Sequence, residues 1–226
     1  MKRINSSVTA RGGQSQVASL AAELRRQISE HKISPGAKLN EQQIANDFGV
    51  SRARAREVIA ALEVHGLVER HPNRGAVVRR LELHEMYEIY DVREVLEGLA
   101  VRRAVENENP ATWKKFLDNL TSEFETRIAA GEIELYEVEF NRFRKAVIAA
   151  ANNPVISGML DSVQDQTQII MRRVLVLPGR AERGLANLKL LLVAMSEGQA
   201  EEAERLRRIG IRAAIKDLKR YERFIL

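Results

Sequence analysis

The chain has no cysteine, five prolines, a single tryptophan and no long apolar run, and each shortage excludes something. Without cysteine there can be neither a disulfide nor a thiolate metal site, and a cytoplasmic address is expected. The most apolar stretch, LKLLLVAM, is short and contains Lys189, whereas a membrane span needs about 18 or more apolar residues. No membrane is expected. The segment MKRINSSVTARGGQSQ is basic but lacks the apolar stretch of a secretory signal. Few prolines among long Ala/Glu/Leu/Arg stretches predict a mostly helical protein. The 226 residues suffice for one large domain or two modest ones.

Positive charge is concentrated at one end. Residues 1–80 carry 14 Lys/Arg against 7 Asp/Glu, a net of +7, while residues 81–226 carry 22 against 24, a net of −2. A basic first third joined to a near-neutral remainder points to a polyanion-binding module on a separate body.

Residues 1–13 are polar, end in RGG, and read as disordered. From Gln14 to His31 the apolar positions Val17, Leu20, Ala21, Leu24 and Ile28 recur at helical steps. Pro35-Gly36 breaks the pattern. A short helix follows in NEQQIANDFG, with Asn40 as N-cap and Gly49 as its left-handed end. Ser51 then caps a third helix. At 100° per residue, Val58, Ile59 and Leu62 fall within about 60° of Ala55 and form its buried stripe. Arg52, Ala53 and Arg56 share one exposed flank, Arg54 lies on the other, and Glu57 points outward between them. Two short β-branched runs, LVER and AVVRR, flank HPNRG as a hairpin tip. Three helices and two strands over residues 14–80 describe a winged helix-turn-helix.

Residues 81–226 show no strand signal. Helices are predicted near 83–107, 111–130, 132–151, 154–176, 180–196 and 199–224, broken at NENP, AAGE, ANNP, LPGR and SEGQ. Long amphipathic helices with short connections make an antiparallel all-α bundle of six or seven helices. The fold class expected is therefore mainly α, a winged helix-turn-helix followed by that bundle.

A helix-turn-helix needs a small residue where its helices cross and a glycine four positions later; Ala45 and Gly49 satisfy this. Ile44, Phe48, Val50, Ala55 and Val58 are expected to form the shared core. The N-terminal end of such a recognition helix enters the major groove. An arginine there can bond two acceptors of one guanine or hold a phosphate, which makes Arg52 and Arg56 the readout candidates. Arg54 is assigned to backbone phosphate or solvent. Free N–H groups at helix starts add Ser51 and Asn40 as phosphate contacts. Solvation, or pairing of the arginines with Glu57 or Glu63, is the competing reading.

The run LRRQISEHKISPGAKLNEQQIANDFGVSRARAREVIAALEVHGLVERHPNRGAVV resembles the DNA-binding domain of GntR-type bacterial transcription regulators over residues 24–78. That resemblance implies DNA contacts at Gln42, Arg52, Arg56 and the wing-tip pair Arg74-Gly75, the glycine allowing the wing backbone to approach the minor groove. The chain departs from the family pattern at Ala53 and Arg54, where threonine and proline are usual; a hydroxyl is lost and a charge gained.

The segments YEIYDVREVLEGLAVRRAV, AAANNPVI and AMSEGQAEEAERLRRIGIRAA resemble the FCD-type ligand domain of the FadR subfamily over residues 83–220. The resemblance implies a bundle that binds small organic acids, often beside a divalent metal, and that dimerises. Arg93 and Glu97 match its first helix. The family's metal-ligand positions fall here on Phe140, Arg144, Leu188 and Gly210, none a divalent-ion ligand, so no metal or other cofactor is expected. A shifted register offers Glu137 and Asn141, four residues apart on one helix face, as weak ligands for a hard cation. Arginine in place of a ligand histidine leads to a sharper expectation: Arg144, aided by Arg93 and with Asn141 nearby, anchors the effector's carboxylate. The competing reading pairs both arginines with internal carboxylates such as Glu97.

An enzyme is not expected. The residues three before the histidines are Ile28, Leu62, Val68 and Leu81, so no Glu-x-x-His metal pair exists, and neither a phosphate loop nor a nucleophile motif appears. The sequence thus predicts a cytoplasmic, homodimeric regulator that reads a two-fold double-stranded DNA operator and senses a small organic acid. The alternative is an effectorless DNA-binding dimer with a purely structural bundle.

Overall fold

The computed structural model describes residues 6–72 and 75–225. Two units divide between Leu81 and Glu82.

In the first unit the stripe from Leu20 to Ile28 buries one side of α1 (Ser6–Ser29), with Leu24 and Ile28 almost fully enclosed. The helix starts at Ser6, not at Gln14, so disorder over 1–13 is corrected for residues 6–13; residues 1–5 lie outside the described residues. Once a packed turn exists, each residue added to a helix gains a backbone hydrogen bond at small cost. After the turn at Gly36, whose φ of 85° suits glycine, come β1 (Lys38–Leu39) and α2 (Glu41–Phe48). The Asn40 side chain accepts from the backbone N–H groups of Gln42 and Gln43 at 2.8 and 3.1 Å, and Gly49 closes α2 in the left-handed region.

α3 (Arg52–Val64) starts under a Ser51 cap and buries Ala55, Val58, Ile59 and Leu62, the stripe expected from the wheel. It packs on α1 and α2. Phe48 departs from its expected core place and is 38% exposed; it ends a two-turn helix where the chain turns away, so little covers the ring. β2 (Val68–His71) and β3 (Gly75–Val78) pair antiparallel, and β1 adds to the far side of β3 to give the order β1-β3-β2. The third strand was not expected, because two residues show no alternation.

The second unit is all helical among the described residues: α4 (Leu83–Asn107), α5 (Pro110–Asp118), α6 (Ser122–Ala129), α7 (Ile133–Ala150), α8 (Pro154–Ser162), α9 (Gln164–Leu175), α10 (Arg180–Ser196), α11 (Ala200–Arg220) and α12 (Glu222–Ile225). Three expected helices are split. Thr121 interrupts 111–130 because its hydroxyl caps the Phe124 N–H. Val163, at φ −110° and ψ 7°, separates α8 from α9, and Tyr221 separates α11 from α12. Asn109 and Asn153 cap helices that begin with proline, the missing N–H being one no helix would satisfy there. α4 packs along α11 and against α7, and α10 lies against α5 and α11. Trp113, Phe116 and Phe143 meet edge-on or stacked with centroids 5.9 to 6.4 Å apart and seal one part of the core. Deeper in this bundle the burial pattern turns unusual, since Arg93, Glu97, Arg144, Arg180 and Arg207 are all buried.

Candidate functional site

Two surfaces carry the chemistry. The first is the start of α3, where Arg52 and Arg56 project into solvent, their side chains 63% and 62% exposed. Both lean toward Glu41 at the start of α2. The Glu41 carboxylate accepts from Arg56 Nε at 2.9 Å and from its Nη2 at 3.1 Å, with Arg52 Nη2 at 3.9 Å. The Arg56 guanidinium holds the Glu41 carboxyl below the usual carboxylate range. Glu41, rather than the expected Glu57 or Glu63, is thus the partner; Glu63 receives Arg70. Exposed pairs of this kind are weak, whereas a bidentate contact to guanine is worth more. Glu41 therefore orients the two guanidiniums without withholding them.

Arg54 leaves on the other flank, as expected, and its Nη1 donates to Gln16 Oε1 of α1. Ser51 Oγ accepts from the Arg54 N–H at 3.3 Å. Gln42 is exposed and donates to Asn46 Oδ1 at 2.9 Å. Gly75 has a φ of 76° and open space where a Cβ would be, which suits close backbone approach. Arg74 lies outside the described residues.

The second site is a cavity of ≈ 50 Å³ among α4, α7, α9, α10 and α11. Tyr90, Arg93, Tyr136, Arg180 and Arg207 line it together with Phe140, Gly184, Leu188 and Gly210. Behind two of these arginines, Glu97 accepts from Arg93 Nε at 2.7 Å and from Arg207 Nε at 3.0 Å, with a further bond from Arg207 Nη2. Burial alone would raise the Glu97 carboxyl. The Arg207, Arg93 and Arg144 charges overcome it and hold the group at about 2. Burial pushes Arg144 down, as does repulsion from Arg93 and Arg207, against the attraction of Glu97.

One carboxylate does not satisfy this many guanidiniums. Arg93 Nη1, Arg144 Nε and the Nε and Nη1 of Arg180 are buried and find no hydrogen-bond partner among the described residues. Arg180 Nε lies 3.4 Å from Asp217 Oδ2, which Arg183 engages more closely at 3.0 Å. Unmatched buried cations are costly, and the surroundings of the cavity carry more positive than negative charge.

The expected effector residues are brought together only in part. Arg93 lines the cavity and, as the competing reading had it, also pairs with Glu97. Arg144 faces a smaller adjoining space lined by Glu97, Phe143 and Leu160, and shares Arg207 with the first. Asn141 is not on the cavity wall; its amide exchanges hydrogen bonds with Gln168 at 2.7 and 3.4 Å. Glu137 accepts from Arg172 at 2.9 Å instead of standing free for a cation. Arg180, Arg207 and Tyr136 were not singled out from sequence. Arg207 sits among several arginines of AERLRRIGIR and Arg180 beside a turn, so only packing distinguishes them.

The positions assigned to metal ligands converge on this place: Phe140, Leu188 and Gly210 line the cavity and Arg144 its neighbour. A phenyl ring, an alkyl chain, a hydrogen and a guanidinium give a divalent ion nothing to bind, so the side chains present do not fit the metal. Among the described residues no three His, Cys, Asp or Glu side chains gather as a metal site, and no helix is long and apolar enough to cross a membrane.

Known proteins match both units. Residues 16–78 match the model of the bacterial regulatory proteins, gntR family, and residues 88–212 match the FCD domain. The uncharacterized HTH-type transcriptional regulator YdhC of Bacillus subtilis is 28% identical over 144 residues, 63% of this chain and 64% of its own length. The Nta operon transcriptional regulator of Aminobacter aminovorans is 32% identical over 115 residues, 50% of this chain and 54% of its own. The probable D-xylose utilization operon transcriptional repressor of Paenarthrobacter nicotinovorans is 28% identical over 130 residues, 56% of this chain and 55% of its own. The chain thus covers less than two thirds of each of these relatives. Among solved structures, E. coli McbR/YncC superposes with a TM-score of 0.75 at 22% identity, covering 92% of this chain and 98% of that one. A putative transcriptional regulator GntR from Rhodococcus sp. RHA1 gives 0.71 at 24%, over 91% and 98%. At these identities the two structures establish the fold.

Proposed function

Since the chain belongs to the gntR family of bacterial regulatory proteins and carries the FCD domain, we propose that it is a metabolite-responsive, sequence-specific regulator of transcription whose operator affinity changes when a small organic acid enters the helical bundle. The observation that carries this reading is the buried excess of guanidinium around the cavity. Arg93, Arg144, Arg180 and Arg207 face the carboxylates of Glu97 and Asp217, and several of their N–H groups are unmet.

The DNA is read by Arg52 and Arg56 in the major groove, with Arg54, Ser51 and Gln42 on the phosphates and the wing, Arg74 and Gly75 included, toward the minor groove. A homodimer on a two-fold operator follows from the half-site logic of such readers, and the site of action is the cytoplasm. No metal takes part in holding the acid, since the positions that would supply it have been given to carbon and guanidinium.

One experiment tests the whole reading. Operator sequences are selected from a random duplex pool, and affinity for the selected duplex is then measured with and without a panel of organic acids. Thermal melting is recorded with the same acids, since a ligand that binds only the folded bundle raises its melting temperature. Selection of a palindrome together with acid-dependent affinity supports the regulator. A palindrome with no acid raising the melting temperature leaves the effectorless dimer.

A further inference from the structure

Resting on the reading of the cavity as an organic-acid site, we infer that its ligand is a short dicarboxylate, one carboxylate held by Arg180 and Tyr136 and the other by Arg93, with no metal between. The argument begins with the separateness of the two cations. Arg93 comes from the middle of α4 and Arg180 from the first residue of α10. They are 3% and 8% exposed, and each has N–H groups without a partner. Their available anions are already divided: Glu97 also serves Arg207, and Asp217 serves Arg183. Two guanidiniums on different helices, each short of an acceptor, ask for two anionic groups. A monocarboxylate reaches one and leaves buried N–H groups on the other unmet.

The volume of the cavity matches a small diacid. A water needs about 10–15 Å³ of such space, so the cavity holds about three to five waters, close to the bulk of a four- or five-carbon diacid. Phe140 and Leu188 also line the cavity and suit carbon. Gly184 marks the Arg180 end. A Cβ there would come within 2.9 Å of both Arg180 Nη1 and Tyr136 Oη. The helix thus forgoes a side chain at the point where a guanidinium and a hydroxyl approach one another, which is the donor geometry one carboxylate uses.

The full chain, treated with EDTA, is titrated calorimetrically with succinate, glutarate, butyrate and inorganic phosphate. Succinate or glutarate is expected to bind at least about tenfold more tightly than butyrate, with the same affinity before and after EDTA. Arg180→Gln should bring the diacid down to the level at which butyrate binds the unaltered chain. If that variant does not melt cooperatively, the four-ligand series on the unaltered chain decides. Butyrate equal to the diacids, or phosphate exceeding them, overturns the two-point site and leaves the organic-acid reading standing. Binding abolished by EDTA overturns the metal-free clasp. No binding of any of the four, by a chain that still binds DNA, overturns the inference and the acid reading together.

Discussion

Replacing Glu97 by glutamine removes the one carboxylate that two buried guanidiniums share while keeping its size. Its carboxyl is held at about 2 against an ordinary 4.5. A folded-state value depressed in this way contributes stability that is fully present above about pH 4.5 and is lost as the pH falls toward 2. The difference of about 2.5 units is worth roughly 3 kcal/mol, in line with the 3–5 kcal/mol typical for removing one partner of a buried pair. At about 2–4 °C per kcal/mol for a domain of this size, Glu97→Gln should melt roughly 6–12 °C lower at neutral pH. Glutamine is also the neutral counterpart of protonated glutamate. The gap between the two proteins should therefore narrow steadily as the pH is lowered from about 5 to about 3. Helical circular dichroism followed through melting, at a series of pH values, reads both effects. Equal melting temperatures at neutral pH, or a gap that does not narrow in acid, would refute the electrostatic account of the cluster.

At the DNA face, Arg52→Ala and Arg56→Ala should each cut the preference for operator over scrambled duplex roughly tenfold, as measured by fluorescence anisotropy. Arg54→Ala should weaken both duplexes alike and reduce the slope of log affinity against log salt by about 1. Glu41→Gln should strengthen binding to random DNA, because a negative charge leaves the face that meets phosphate, and should narrow the margin for operator because Arg56 loses its bidentate anchor; competition binding reads both. In the bundle, Gly184→Ala places a Cβ against Arg180 and Tyr136 and should cost at least about tenfold in acid affinity. Arg180 and Tyr136 must shift to admit the Cβ, so melting is recorded beside binding to check that the fold is kept, alanine being otherwise the better helix former by about 1 kcal/mol.

The winged module was legible almost residue by residue because its signals are local. Asn40, Gly49 and Ser51 act as caps through neighbours two to four residues away, and the stripe Ala55–Leu62 follows from helical periodicity alone. What sequence missed there is either too short for a period, as with β1, or set by tertiary cover, as with Phe48. The bundle's helices were found, but their breaks at Thr121 and Val163 were not: a lone threonine or valine punctuates weakly beside Gly, Pro or Asn. The cavity was half legible. Arg93 stood out through the resemblance of α4 to the first helix of the FCD-type domain, and the same resemblance assigned Phe140, Leu188 and Gly210 to one shared site. Arg207 and Arg180 come from segments where arginine is common, and what sets them apart is depth, which periodicity does not report. Asn141 shows the converse, a residue well placed along the helix whose face turns to Gln168.

The cations of the cavity wall are all guanidiniums, and a guanidinium keeps its proton at any pH a cell can tolerate. Glu97 likewise stays ionised far into acid. The charge that greets an incoming anion is therefore fixed, unlike that of a histidine-built site, which titrates near neutrality. On the proposed reading, such a site would report the amount of acid anion and not the pH around it.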